Sequence, residues 1–237
     1  MKKIYILSTL IAMVLLASGC NSEWEDEQYE HYISFRSPLD SKGVTNVYVP
    51  YTRTGSEEGM SSYQLPIIVS GSLHNSENIT VHVASDPDTL GILNYARYAT
   101  RTDLFYKDLN ESHTYASYPE TAEIKSGEDV GLLDINFNFK GIDLSEKWVL
   151  PIQIMDDPSY GYESHPRKNY AKALLRIFPF NDFSGDYAGT LLTNKVVMGT
   201  DEHGKPIETT ESITRSLVRG YVIDGKSVFT YAGIIDE

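Results

Sequence analysis

The chain has 237 residues, with 33 Asp and Glu against 20 Lys and Arg, one Cys and 17 Tyr. A formal charge of -13 argues against nucleic acid or anionic lipid head groups as the main partner, because phosphate recognition depends on concentrated Lys and Arg. A single cysteine excludes a structural disulfide within a monomer.

At the N-terminus Lys2 and Lys3, the apolar run Ile4 to Leu16 and the small residues Ala17, Ser18 and Gly19 have the layout of an export signal. The run is shorter than the roughly 20 apolar residues that span a bilayer, so it reads as removed rather than retained. Small residues directly before the lone Cys20 resemble the bacterial lipobox, in which the thiol is lipidated and becomes the new N-terminus. Ala17 departs from the Leu, Val or Ile usual at its place; the alternative is a plain secretory signal followed by an incidental cysteine. Glu23, Glu25, Asp26 and Glu27 resemble the acidic tag that sends Bacteroidetes lipoproteins to the outer face of the outer membrane. As like charges disfavour compaction, residues 21–31 also read as a solvated tether. The 237 - 20 = 217 residues that follow Cys20 lack Lys2 and Lys3 and lose no acid, so their charge is -13 - 2 = -15. That length suffices for one large or two ordinary domains.

The mature chain repeats short alternations of Val, Ile, Thr, Tyr and Phe broken by Gly, Pro, Asn, Asp and Ser, the pattern of strands. The clearest are VYVPYTR from Val47, YQLPIIVSGS from Tyr63, ITVHVASD from Ile79, LDINFNF from Leu133, WVLPIQIM from Trp148 and AKALLRIF from Ala171. Sustained helical periodicity is hard to find. The spacing predicts an all-β, Ig-like antiparallel β-sandwich over residues 32–180. Pro50, Pro66 and Pro151 cannot donate ladder hydrogen bonds, so each belongs at an edge, a strand start or a bulge. The two Leu-Pro-Ile segments, at 65–67 and 150–152, are either matching sandwich strands or coincidence.

Between Ala96 and Glu123 the alternation fades, and a long excursion is expected there; such loops are often functional. Tyr98, Phe105, Tyr106, Tyr115 and Tyr118 could present ring faces to a ligand, as could Tyr160 and Tyr162 in DPSYGYESHP. The competing reading packs these rings onto the sandwich with their hydroxyls reaching water.

Near Phe178 the sequence FPFNDFSGDYAG closes a strand and starts a new β segment, placing a domain boundary at 180/181. Residues 181–237 then read as further strands with turns at Glu202 to Pro206 and Asp224-Gly225. They either begin a longer second domain, here incomplete, or pack on the first. Gly220, Gly225, Lys226 and Ser227 match a nucleotide-binding P-loop by letter. That loop must open into a helix, whereas SVFTYAG is β-forming, so a hairpin turn at Asp224-Gly225 is the better reading.

Other chemistry is thin. The six histidines, at 31, 74, 82, 113, 165 and 203, include no helical i, i+4 pair, and no metal site or cofactor is expected. Asp86/Asp88 and Asp156/Asp157 could serve calcium, yet Pro87 and Pro158 make ordinary turns the simpler reading. Asp143 and Glu146 are a tempting glycosidase pair but sit in KGIDLSEKW, a turn before a strand. Asp88-Thr89-Leu90 matches a short Bacteroidetes O-glycosylation motif, as three residues often do by chance.

Taken together, YQLPIIVSGS, NITVHVASDPDTL, SYPETAEIKSGED and KWVLPIQIMD resemble Bacteroidetes surface lipoproteins of polysaccharide-utilisation loci, with an N-terminal β-sandwich domain of unknown function. The resemblance covers most of residues 32–180. NDFSGDYAGTL through TYAGIIDE resembles the start of the lipocalin-like second domain found in that family. It implies a non-catalytic, lipid-anchored outer-membrane protein facing the cell exterior, binding a glycan beside a transporter and glycosidases. Alternatives are a structural adhesin or fimbrial subunit, which would pair strands at exposed edges, and an accessory domain of a glycosidase.

Overall fold

Alternation of the kind seen in VGLLDINFN buries every second residue against a partner layer and leaves the rest in water. The computed structural model describes residues 31–54, 57–71, 74–111 and 114–231; Cys20 and the acidic run before residue 31 lie outside them. The result is an all-β sandwich. One sheet has the order β11 (Glu163–Ser164), β1 (Tyr32–Phe35), β4 (Glu57–Val69), β9 (Val130–Asn138), β7 (Ala116–Ser117), with β3 (Thr52–Thr54) also on β4. The other has the order β2 (Thr45–Pro50), β12 (Lys172–Phe180), β10 (Trp148–Ile154), β5 (Ile79–Ser85), β8 (Thr121–Ile124), with β6 (Lys107–Asp108) also on β10. The six segments expected as strands all lie in these sheets.

The core forms where the inner faces meet. Phe35, Leu65, Ile67, Leu133, Ile135 and Phe137 come from the first sheet, and Val81, Leu150, Ile152 and Leu175 from the second, all essentially dry. Burying one such side chain contributes about 1.5–3 kcal/mol. The two Leu-Pro-Ile segments are counterparts: each places its Leu and Ile in this core, one from each sheet.

Both prolines lie in interior strands, not at an edge, and the ladder tolerates them for one shared reason. Arg36 N–H donates to the Pro66 carbonyl (2.9 Å), one residue past the end of β1, and Asp86 N–H donates to the Pro151 carbonyl (3.1 Å), one residue past the end of β5. In an antiparallel ladder a residue's nitrogen and carbonyl point the same way, so each imide nitrogen faces the place where the neighbouring strand has stopped. The sandwich is also not wholly antiparallel. β11 on β1, β2 on β12 and β6 on β10 run parallel, because each joins its partner through a long crossover.

The outer face of the second sheet is divided in two. Over β10 and β12 it is covered by α1 (Pro87–Tyr98), a helix absent from the sequence expectation, which packs Leu90 on Val44, Tyr106, Val149 and Leu174 in a second small core. Asp86 is its N-cap: the carboxylate accepts from Thr89 N (3.3 Å) and from the Lys172 ammonium (2.6 Å), with Pro87 in the first turn. Asn94 completes the seal, its amide pairing with both backbone groups of Tyr106 at 2.8 and 2.9 Å. Over β5 and β8 the same face is bare. A four-residue helical turn, α2 (Lys168–Ala171), leads into β12.

Beyond Phe180, a turn at Asn181 to Ser184 leads into β13 (Gly185–Thr200), β14 (Pro206–Val222) and β15 (Val228–Phe229), a separate three-stranded antiparallel sheet. Asn181 Nδ2 donates to the Asp224 carbonyl (2.7 Å), and the Tyr231 hydroxyl donates to the Ser145 carbonyl (3.2 Å), tying it to the sandwich. The P-loop letters fall on β14 and on the 223–227 loop that reverses into β15. The reversal is longer than the two-residue turn expected, with the Asp224 carboxylate accepting from Lys226 N (2.7 Å), and it leads into strand β15 where a P-loop would open a helix.

Candidate functional site

In ITVHVAS, Val81 and Val83 point into the core, so Thr80 and His82 stand on the bare outer face of β5. The loop after β10 folds across them. Asp156 accepts from Ser164 N (2.7 Å) and Asp157 from Ser159 N (2.9 Å), fixing both ends of the turn that carries Tyr160. The Tyr160 ring then stacks on His82, with centroids 4.0 Å apart and planes 9° from parallel. Tyr162, 8% exposed, lies beneath; its hydroxyl accepts from His82 N (2.9 Å) and donates to the Met155 carbonyl (2.8 Å). Burial pushes this phenol above its ordinary pKa, so it remains a neutral donor.

The stack is the shared wall of two hollows. One, of about 410 Å³, runs past Asn78, Thr80, Glu77 and Ser159; the other, of about 570 Å³, runs past Thr114, Ser117, Tyr118 and Glu120. Both are open to solvent, and each is of a size that holds small organic ligands. Hydroxyl and amide groups around a stacked aromatic pair suit a ligand with one apolar face and many hydroxyls. A third concavity, of about 290 Å³, lies between the sandwich and β13–β15; Tyr48, Phe178, Phe180 and Tyr221 give it the apolar lining of a joint between sheets.

The seven expected aromatics fall into separate places. Tyr118, Tyr160 and Tyr162 meet at this groove. Tyr98, Phe105 and Tyr106 gather instead at the end of α1, with Tyr98 5.8 Å from Tyr106 and 6.3 Å from Phe105. Tyr106 is 3% exposed and seals the second core, so it offers no ring face to solvent, and the same correction applies to Tyr162. The burial of Tyr106 follows from local pairing: β6 adds to β10, and Asn110 clamps both backbone groups of Ala116 at 2.9 Å, so the expected long excursion is pinned to the sandwich. Tyr115 packs edge-on against Trp148 at 6.0 Å. Burial raises the Tyr118 pKa, and nearby Asp108 adds to the effect.

The sequence reading missed His82, which period-two alternation alone places outward beside Thr80. Several carboxylates that the sequence offers for chemistry have structural partners. Asp143 accepts from Ser145, Glu146 pairs with Lys107 (2.8 Å), and Asp86 and Thr89 serve the start of α1. Among the described residues, no group of three or more His, Cys, Asp or Glu is placed to hold a metal ion.

The family model described as a domain of unknown function, DUF4973, matches residues 24–158, more than half of the chain. The chain belongs to the DUF4973 family. A second model, for a C-terminal domain, matches residues 171–237. An auxiliary nutrient binding protein from Bacteroides thetaiotaomicron is 66% identical, with a TM-score of 0.71 over 88% of this chain and 66% of its own. A protein of unknown function from Bacteroides ovatus is 44% identical, with a TM-score of 0.67 over 86% of this chain and 63% of its own. A multidomain protein including DUF1735, also from Bacteroides ovatus, is 42% identical, with a TM-score of 0.66 over 86% and 62%. The DUF4973 chain thus spans a little under two thirds of each of these solved chains. None of the three is described as an enzyme. No curated protein matches it.

Proposed function

We propose that this DUF4973 protein is a non-catalytic, cell-surface glycan-binding lipoprotein, and that the groove around Tyr160 and His82 is its ligand site. The observation that carries the reading is the stacked pair itself, a rigid aromatic wall flanked on both sides by hydroxyl, amide and carboxylate groups. A pyranose has an apolar face for such a ring and equatorial hydroxyls for the flanking groups. The 66% identical relative, described as a nutrient binding protein, supports uptake of a nutrient as the setting.

Anchoring belongs to the same proposal. The lipobox-like run into Cys20 and the acids after it support a lipid anchor with the sandwich held outside the outer membrane, beside a transporter and glycosidases. We assign β13–β15, a long bulged hairpin with a third strand, to a lipocalin-like domain.

Purified protein on an array of plant, host and microbial glycans, followed by calorimetry, tests the binding. Affinity for at least one glycan, reduced tenfold or more by Tyr160→Ala, is the expected result. Silence across the array overturns the reading. Mass spectrometry of the N-terminal peptide should show a diacylglyceryl group on Cys20, and Cys20→Ser should remove it.

A further inference from the structure

We infer that the groove takes an interior run of a neutral polysaccharide, lying across the Tyr160–His82 stack, rather than a chain end or a charged glycan. This deepens the glycan reading and rests on it.

Two features of the groove carry the inference. The first is its form. His82 and Tyr160 line both hollows, so the stack stands as a saddle between two solvent-open hollows that share it as a wall. Each hollow, at about 410 and 570 Å³, already falls within the range of a complete small-molecule site, and a single sugar ring on the saddle would leave both largely empty. A chain that continues on both sides fills them together, and each further unit is held at high effective concentration by its neighbour.

Charge is the second feature. Among the described residues lining either hollow there is no Lys or Arg, while Glu77 stands in one and Glu120 in the other. The turn that carries Tyr160 is itself held by Asp156 and Asp157, and Thr80 donates to Glu123 (2.8 Å) at the groove's edge. Uronate or sulfate groups would therefore meet like charge on both sides of the saddle with no guanidinium or ammonium to receive them.

The test uses the full chain and two sets of probes, measured by calorimetry. One set is neutral gluco-, manno-, xylo- and galacto-oligosaccharides of one to eight units with their parent polymers. The other is polygalacturonate, chondroitin sulfate and heparin. For the neutral series that binds, affinity should rise at least tenfold between two and six units, with no measurable monosaccharide binding. Tyr160→Ala should lower it at least tenfold, and Tyr160→Phe, which keeps the ring, should stay within threefold of the parent. Anionic polymers should bind at least tenfold more weakly in low salt, with the gap narrowing as salt screens the acids. A monosaccharide matching the polymer, an anionic polymer binding best, or length-dependent binding indifferent to Tyr160→Ala each overturns the inference while leaving a glycan-binding protein. Failure of every glycan in both sets removes the parent reading instead.

Discussion

Replacing Asp86 with alanine should expose how the covered half of the second sheet is held. The Asp86 side chain is 5% exposed and that of Lys172 28%, and one carboxylate both caps α1 and neutralises the lysine. Losing an N-cap costs about 1 kcal/mol. Leaving a largely buried ammonium without its charge-assisted partner costs about 2 kcal/mol more, since Lys172 reaches some water. The sum, about 3 kcal/mol, is an upper figure because both contributions rest on one group. Asp86→Asn should lose only about 2 kcal/mol, since asparagine caps as well as aspartate but cannot balance the charge. In urea, with a slope of about 3 kcal/mol/M, these losses lower the midpoint by about 1 M and about 0.7 M.

The same pair has a signed pH dependence. Burial works against the Asp86 charge, but hydrogen bonds from Lys172 and Thr89 outweigh it and hold the carboxyl below its ordinary range. A folded pKa below the unfolded one stabilises the protein above the unfolded value of about 3.9, and that stabilisation fades as pH falls through the folded value. The stability gap between the parent and Asp86→Asn should be constant from pH 7 to about 5 and shrink below about 4, where the other carboxylates cancel in the difference. A gap independent of pH down to 3, or an alanine variant as stable as the parent, refutes the reasoning.

Three further substitutions test other joints. Tyr162→Phe removes the hydroxyl between His82 N and the Met155 carbonyl; it should cost about 1–2 kcal/mol by thermal unfolding and weaken glycan binding, because His82 and Tyr160 lose their support. Asn94→Ala leaves the Tyr106 N–H and carbonyl unpaired in the second core and should cost about 2–3 kcal/mol in urea titration, with binding at the Tyr160 groove unchanged. Gly131→Ala would place a methyl group 2.8 Å from the Glu123 carbonyl oxygen, where the chain crosses from β8 to β9, and should cost about 1–3 kcal/mol by the same titration.

The strands were legible because burial on one face writes period two into the sequence. VGLLDINFN is the clear case, with Leu133, Ile135 and Phe137 dry and Leu132 47% exposed. α1 was not legible for a matching reason. It rests on the sheet through Leu90 and Asn94, while Ile92 and Tyr95 are 70% and 67% exposed, so its apolar residues mark no single face. Its start was nevertheless present in Asp86-Pro87, a cap and first-turn pair that also reads as a turn. Of the candidate groove, Tyr160 and Tyr118 were legible as loop aromatics from composition and loop context. His82 was not, because its importance arises from the loop that folds over it, a contact between residues 78 positions apart.

The two halves of the outer face of the second sheet also explain why the groove lies where it does. A sheet face in a sandwich that is not covered by a second layer must be polar or must be occupied. Over β10 and β12 the sequence supplies Val149 and Leu174 and then a helix to cover them. Over β5 it supplies Thr80 and His82, polar side chains that need no cover, and adds a loop stiffened by two aspartates that suspends one aromatic ring above them. Aspartates cap connecting turns elsewhere in the chain too, as Asp143 and Asp224 do, so it is the ring on this turn that sets it apart. At the proposed ligand site the stiffening matters, because a ring already fixed in place loses little freedom when a ligand stacks on it, so more of the contact energy would appear as affinity.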